Sequence, residues 1–221
     1  MNNIDKIYII NLKHRTDRWE KCLEQLNKYN ITNYERVDAI CPDINNIDKS
    51  QYKNFNDKSK KYLTGQMGCK LSHYNVIQTA KKQNYTQILI LEDDFLLCEK
   101  FIEKFNELTK LIENENIQLN MLYLGFSNYF KNAYTDTSIT NIKKMKNAMT
   151  THAYILHNSF YNNVLNEIEN SSYEIDVCYS YLQKKNDIYG IYPCLISQQP
   201  SFSDILNRNV NYSEFIKLEQ L

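Results

Sequence analysis

The chain has 221 residues, 43% of them hydrophobic and 24% charged, which suits one sizeable globular core and is not the balance of a disordered chain. Its 26 basic and 26 acidic side chains cancel to a formal net charge of zero, so no global field is present to hold nucleic acid. The six cysteines, Cys22, Cys41, Cys69, Cys98, Cys178 and Cys194, show no close pairing; this speaks against a zinc module or a disulfide scaffold and for reduced thiols. The opening Met1-Asn-Asn-Ile-Asp-Lys lacks an apolar leader core and no apolar run approaches a membrane span, so a soluble, cytoplasmic protein is expected.

The pattern then reads as alternating strands and helices. Residues 6–12 (KIYIINL) form a short β-branched apolar run, the mark of a buried strand. Trp19, Cys22, Leu23 and Leu26 follow at helical spacing, with Asp17 and Glu20 placed as a capping box. A second strand is expected over 36–40, and the polar, aperiodic stretch 41–61 reads as a long loop. Met67, Leu71, Tyr74 and Ile77 mark a helix that Gly65 and Gly68 would precede. The clearest strand, 87–91 (QILIL), runs straight into Glu92-Asp93-Asp94.

Phe101, Phe105, Leu108 and Ile112 define the next amphipathic helix, and 119–124 a strand that ends at Gly125. A polar stretch, 127–147, leads to a strand over 152–156. Helices over 161–168 and 177–182 and a strand over 188–192 complete the series. Such alternation predicts one α/β domain over 1–221, a mostly parallel twisted sheet with helices on both faces.

Three consecutive carboxylates after a buried strand repel one another and must be solvated, paired or bound to a cation. Ligands of open α/β sheets sit at the carboxyl ends of the strands. Strand alternation puts Glu92 and Asp94 on one side and Asp93 on the other, a clamp for Mn²⁺ or Mg²⁺ bridging a diphosphate. The competing reading is a solvated turn in which Asp93 or Asp94 caps the following helix. Asn11, Arg15, Asp17 and Arg18 lie where the first strand turns into its helix, where arginine forks suit phosphate oxygens. A solvated basic turn is the alternative there, and it is the reading adopted for Lys13 and His14. Ser72 and His73 follow the glycine pair. His73 shares a helical face with Val76, Ile77 and Ala80, so a buried structural histidine is its alternative, and Cys69 reads as packing.

Several short stretches together resemble glycosyltransferase family 25, which includes lipopolysaccharide sugar transferases and collagen galactosyltransferases. They are residues 10–18 (INLKHRTDR), 65–73 (GQMGCKLSH), 91–94 (LEDD), 122–125 (LYLG), Ala153-Tyr154, Ile175-Asp176, Tyr192-Pro193 and 203–205 (SDI). The resemblance implies a GT-A-like fold, a UDP-hexose donor and transfer with inversion to a glycan, lipid-linked or protein acceptor. It also implies a metal and nucleotide role for Glu92-Asp93-Asp94, with Glu92 and Asp94 as metal ligands. It moves Asn11, Arg15, Arg18, Ser72, His73 and Asp93 towards the donor pocket and makes Asp176 the candidate general base, with Asp204 as rival. The late histidine that many GT-A enzymes give to the metal has no counterpart here, since the last histidine is His157; Asp204 would take that part, or no third protein ligand exists. A metal-dependent nucleotidyltransferase is the alternative enzyme, disfavoured because residues 11–18 hold no glycine. A non-catalytic carbohydrate-binding module with a decayed site is the third possibility.

Overall fold

The computed structural model describes residues 1, 3–43, 45 and 60–219. Most of the loop expected over 41–61 therefore lies outside the described residues.

Apolar runs build the centre. β1 (Lys6–Asn11) is buried except at Lys6, β3 (Gln87–Glu92) except at its two end residues, and β5 (Met121–Ser127) is buried throughout. With β2 (Tyr34–Asp38), β6 (Tyr134–Asp136), β7 (Ile142–Met145), β8 (Met149–His157) and β9 (Tyr189–Ile191) they form an eight-stranded sheet in the order β2-β1-β3-β8-β5-β9-β7-β6. Only β8 and β7 run against the other six strands. The sheet is thus mostly parallel in direction, as the alternating pattern predicts.

Successive side chains along each strand go to opposite layers, and those two apart share one. Tyr8, Ile10, Ile88 and Ile90 join one core with residues of α2 (Lys60–Lys82), α4 (Tyr161–Asn170) and α5 (Ile175–Lys185). Ile7, Ile9, Leu89 and Leu91 join the other with α1 (Thr16–Lys28) and α3 (Phe101–Asn114). Helices therefore cover both faces. Fully burying one such Leu or Ile contributes about 1.5–3 kcal/mol, so these two layers hold the strand ends rigidly in place. No helix among the described residues is long and apolar enough to cross a membrane.

Several local expectations are corrected. α1 starts at Thr16 with Arg15 at its N-cap and no side-chain cap bond, so Asp17 and Glu20 form no capping box. Asp17 instead accepts two hydrogen bonds of 2.9 Å from Arg15. β2 starts two residues earlier than predicted. α2 begins before the glycine pair, so Gly65 and Gly68 lie inside the helix. A Cβ on Gly68 would collide with the Ile40 carbonyl; the glycine lets α2 approach the chain leaving β2. Gly125 lies within β5 and does not end it. The polar stretch 127–147 hides β6 and β7, whose three and four residues are too short for periodicity to reveal.

Two small hairpin-like pairs were also not legible. β4 (Phe95–Leu97) pairs antiparallel with β10 (Ile196–Gln198), and β11 (Ser201–Ser203) with β12 (Arg208–Val210). Gly125 explains the position of β10. A side chain there would strike the Ile196 carbonyl and the His152 ring, so its absence lets β10 cross close above β5.

Candidate active site

β1, β2 and β3 are parallel, so Asn11, Asp38 and Glu92 arrive at the same edge of the sheet. β8 runs the other way, and its register of Leu91 with Ala153 brings its first residues, including Thr151, to that edge too. The acidic triplet therefore meets side chains from α1, α2, β8 and β10.

The chain leaves the strand after Glu92, and the three carboxylates diverge. Glu92 faces α2 and β8: its Oε1 accepts from Thr151 Oγ1 at 2.7 Å and lies 3.3 Å from His73 Nε2. Burial works against the Glu92 charge, but the hydrogen bonds from His73 and Thr151 outweigh it and hold the carboxyl below its ordinary value. Thr150, directly before Thr151, has a φ of 68°, an outlier for a β-branched residue and a sign of local strain beside the site.

Asp93 faces α1. It accepts from Asn11 Nδ2 at 2.6 Å and pairs closely with Arg18 Nη1. Asn11 in turn accepts from Arg36 at 2.5 Å, and the Arg36 guanidinium lies 5.0 Å from the Trp19 ring centre. This chain of contacts ties β1, β2, α1 and the end of β3 together.

Asp94 lies beyond the strand, where the alternation that separates Glu92 from Asp93 no longer applies. It sits 3.9 Å from Arg18 Nη1 and accepts from Gln198 Nε2 at 3.2 Å on both oxygens. Pairing of Phe95 with Gln198 across β4 and β10 sets that contact. Burial first, and then the Glu92 charge, push Asp94 up to about 7. Gln198 Oε1, buried beside it, has no hydrogen-bond partner among the described residues.

Asp176 comes from α5, in the layer that also holds α2 and His73. It is the second residue of α5, with Glu174 at the N-cap, so it is not the cap of that helix. Its Oδ1 accepts from Val177 N at 2.9 Å. Burial, the neighbouring Glu174 and, more weakly, Glu92 raise it to about 6. Burial first, and then the charges of Asp94, Glu92 and, more weakly, Asp176, raise the Tyr212 hydroxyl, so all three acids lie within electrostatic reach of it.

The remaining predicted residues divide. Arg15 pairs with Asp17 and closely with Asp204, which lies between β11 and β12. Arg18 also donates to Ser201 Oγ and the Phe202 carbonyl, both at 2.8 Å. The two arginines thus fasten the β11–β12 pair over the turn after β1, and Asp204 stands with them, not with the other acids. Ser72 is fully buried and engaged by backbone: it donates to the Gly68 carbonyl and accepts from Ile40 N. Thr151 and Arg36 were missed, because nothing in a lone Thr or Arg signals a site before the sheet register is known.

The donor set suits a hard divalent cation. Glu92 and Asp94 offer carboxylate oxygens, and the Gln198 oxygen, without a partner among the described residues, is a further oxygen donor.

The family model of glycosyltransferase family 25 (LPS biosynthesis protein) matches residues 4–179. The chain belongs to that family. The match includes Asn11, Arg18, His73, the acidic triplet, Thr151 and Asp176; the resembling stretches at 192–193 and 203–205 lie beyond it. Procollagen galactosyltransferase 1-A of Xenopus laevis is 31% identical over 131 residues, 56% of this chain and 21% of that protein. The inactive glycosyltransferase 25 family member 3 of Homo sapiens is 29% identical over 129 residues, 55% of this chain and 22% of that protein. This family 25 chain thus spans about a fifth of the length of these curated relatives. Among solved structures, it aligns with a glycosyltransferase involved in glycosylation of the major capsid of PBCV-1, at a TM-score of 0.48 and 13% identity, over 91% of this chain and 95% of that one.

Proposed function

We propose that this family 25 chain is a glycosyltransferase that moves a hexose, galactose or glucose, from a UDP-sugar to a hydroxyl of a glycan, lipid-linked or protein acceptor, with inversion. One observation carries the reading: Glu92 and Asp94 stand at the carboxyl edge of the sheet, and Asp176, in the first turn of α5, lies near enough for the Glu92 charge to oppose its own. Two of them are raised, Asp94 to about 7 and Asp176 to about 6.

In this reading Glu92 and Asp94 hold Mn²⁺ or Mg²⁺, with Gln198 as the third oxygen donor in place of Asp204. When bound, the cation supplies charge neutralisation to the departing diphosphate. Arg18 keeps Asp93 and Asp94 in place through its Nη1 contacts.

The acceptor hydroxyl attacks the anomeric carbon and the bond from that carbon to the diphosphate oxygen breaks. The hydroxyl proton passes to Asp176. A base works best when its pKa lies near the working pH, and the raised position of Asp176 supports that assignment over the salt-bridged Asp204.

A hydrolysis and transfer screen of UDP-, GDP- and CMP-sugars, with and without Mn²⁺, tests the reading. Turnover of a UDP-hexose that needs the cation and is abolished by Asp94→Ala is expected, with a smaller loss for Glu92→Ala. Full activity of Asp94→Ala in EDTA would refute metal dependence; no turnover of any donor by the wild type would favour the non-catalytic alternative that the inactive relative exemplifies.

A further inference from the structure

A second set of metal-ligand side chains stands beside the acids. Cys69 and His73 are four residues apart on α2, so both leave the same face of the helix. That face packs on the end of β3. Cys69 Sγ, a His73 ring nitrogen and a Glu92 carboxylate oxygen all lie within 4.8 Å of one another.

The spacing is close to what one ion needs. Ligand atoms around a tetrahedral zinc lie about 3.4–3.6 Å apart, given bonds of about 2.0–2.3 Å. His73 Nε2 and Glu92 Oε1 are already 3.3 Å apart. Rotation about the Cys69 side chain, a half-buried residue, would close the rest.

His73 is also held as a ligand is held. Its Nδ1 lies 2.8 Å from Tyr154 Oη, which lies 2.8 Å from Tyr179 Oη, and all three side chains are fully buried. Without an ion, Nε2–H donates to Glu92; as the ion binds, the ring proton moves to Nδ1, which donates to Tyr154 while Tyr154 donates to Tyr179, and Nε2 is left to the ion. Such an outer-shell partner fixes the tautomer and ring orientation of a metal-bound histidine.

We propose that Cys69, His73 and Glu92 form a binding site for a zinc-class divalent cation, distinct from the oxygen-only donors around Asp94 but sharing Glu92 with them. One thiolate, one imidazole and one carboxylate select Zn²⁺ or Co²⁺ over Mg²⁺ or Mn²⁺. Three protein ligands leave the fourth position to water. The thiol proton is released to solvent as the ion binds. Because Glu92 serves both sets, zinc here withdraws a carboxylate from the hard-cation donors and opposes them. The site stands on its own ligands, whether or not the chain transfers a sugar.

The test uses the full chain and the metal alone. Titration with Co²⁺ should produce a sulfur-to-cobalt charge-transfer absorption that saturates at one equivalent, and Zn²⁺ should displace it. Oxygen-only coordination at Asp94 gives no such band, so the two sites are told apart. Cys69→Ser and His73→Asn should each abolish the band, and Tyr154→Phe should weaken binding about 10–100-fold. As a check free of variants, Zn²⁺ should protect Cys69 of the wild type from alkylation, located by peptide mass mapping. A wild type that shows neither the band nor protection overturns the proposal, as does a band that survives Cys69→Ser. In either case Cys69 is packing and His73 an ion-pair partner of Glu92.

Discussion

Replacing Asp94 by asparagine gives the sharpest test of the acid cluster. Asn keeps the shape and an oxygen for Gln198, but it cannot carry the charge that burial and Glu92 oppose. Asp94 is raised from 3.8 to about 7, and at 1.36 kcal/mol per pKa unit that interval amounts to a ceiling of about 4 kcal/mol. The sign follows from proton linkage. A carboxyl raised in the folded state contributes stability in full below its unfolded value of 3.8, and that stability is lost as pH rises through about 7. Asp94→Asn should therefore be more stable than the wild type at about pH 8, by up to about 4 kcal/mol, and the gain should vanish near pH 4. Urea unfolding of both proteins across this range measures the difference directly. Mn²⁺ at about 100 times its Kd should add about 2.7 kcal/mol to the wild type at the higher pH and little to the variant. If Asp94→Asn is the less stable protein at about pH 8, or if Mn²⁺ stabilises both equally, the picture of an Asp94 charge opposed by burial and by Glu92 is wrong.

Three further outcomes are expected. Asp176→Asn should lower transfer about 10²–10⁴-fold while UDP-sugar affinity, read by calorimetry, stays unchanged; a parallel fall in both would make Asp176 a donor or structural residue. Arg18→Ala should lower UDP affinity roughly ten- to hundred-fold, because a charge-assisted bond is worth about 1.5–3 kcal/mol. It should also free the β11–β12 pair, seen as faster amide exchange at Phe202 and Ser203. Gly125→Ala should destabilise by about 1–3 kcal/mol through overpacking against Ile196 and His152, and equal thermal stability would show that β10 does not cross where the fold puts it.

The periodic parts of the fold were legible in the residues themselves. Buried runs such as 87–91 can only be strands between two apolar layers, and Phe101, Phe105 and Leu108 can only align on a helix. The acidic triplet stood out because three carboxylates after such a strand have no role in packing. Local sequence could not say where each carboxylate points, since the chain leaves the strand after Glu92 and Asp94 takes its direction from Gln198, 104 residues away. Gly125 looked like a strand end, yet its lack of a side chain is what admits β10 above the sheet. Ser72 looked like a ligand and is consumed by the Ile40 and Gly68 backbone. Cys69 and His73 had the one-turn spacing of a ligand pair in plain view, but the third member, Glu92, lies on another element. The alternation of strands and helices, and the acids that end the third strand, were therefore set by sequence alone, because burial and charge repulsion act locally. Which acids share a space, which arginines are already paired and which thiol faces a histidine were decided by tertiary structure, because those contacts depend on sheet register and helix packing between residues far apart in the chain.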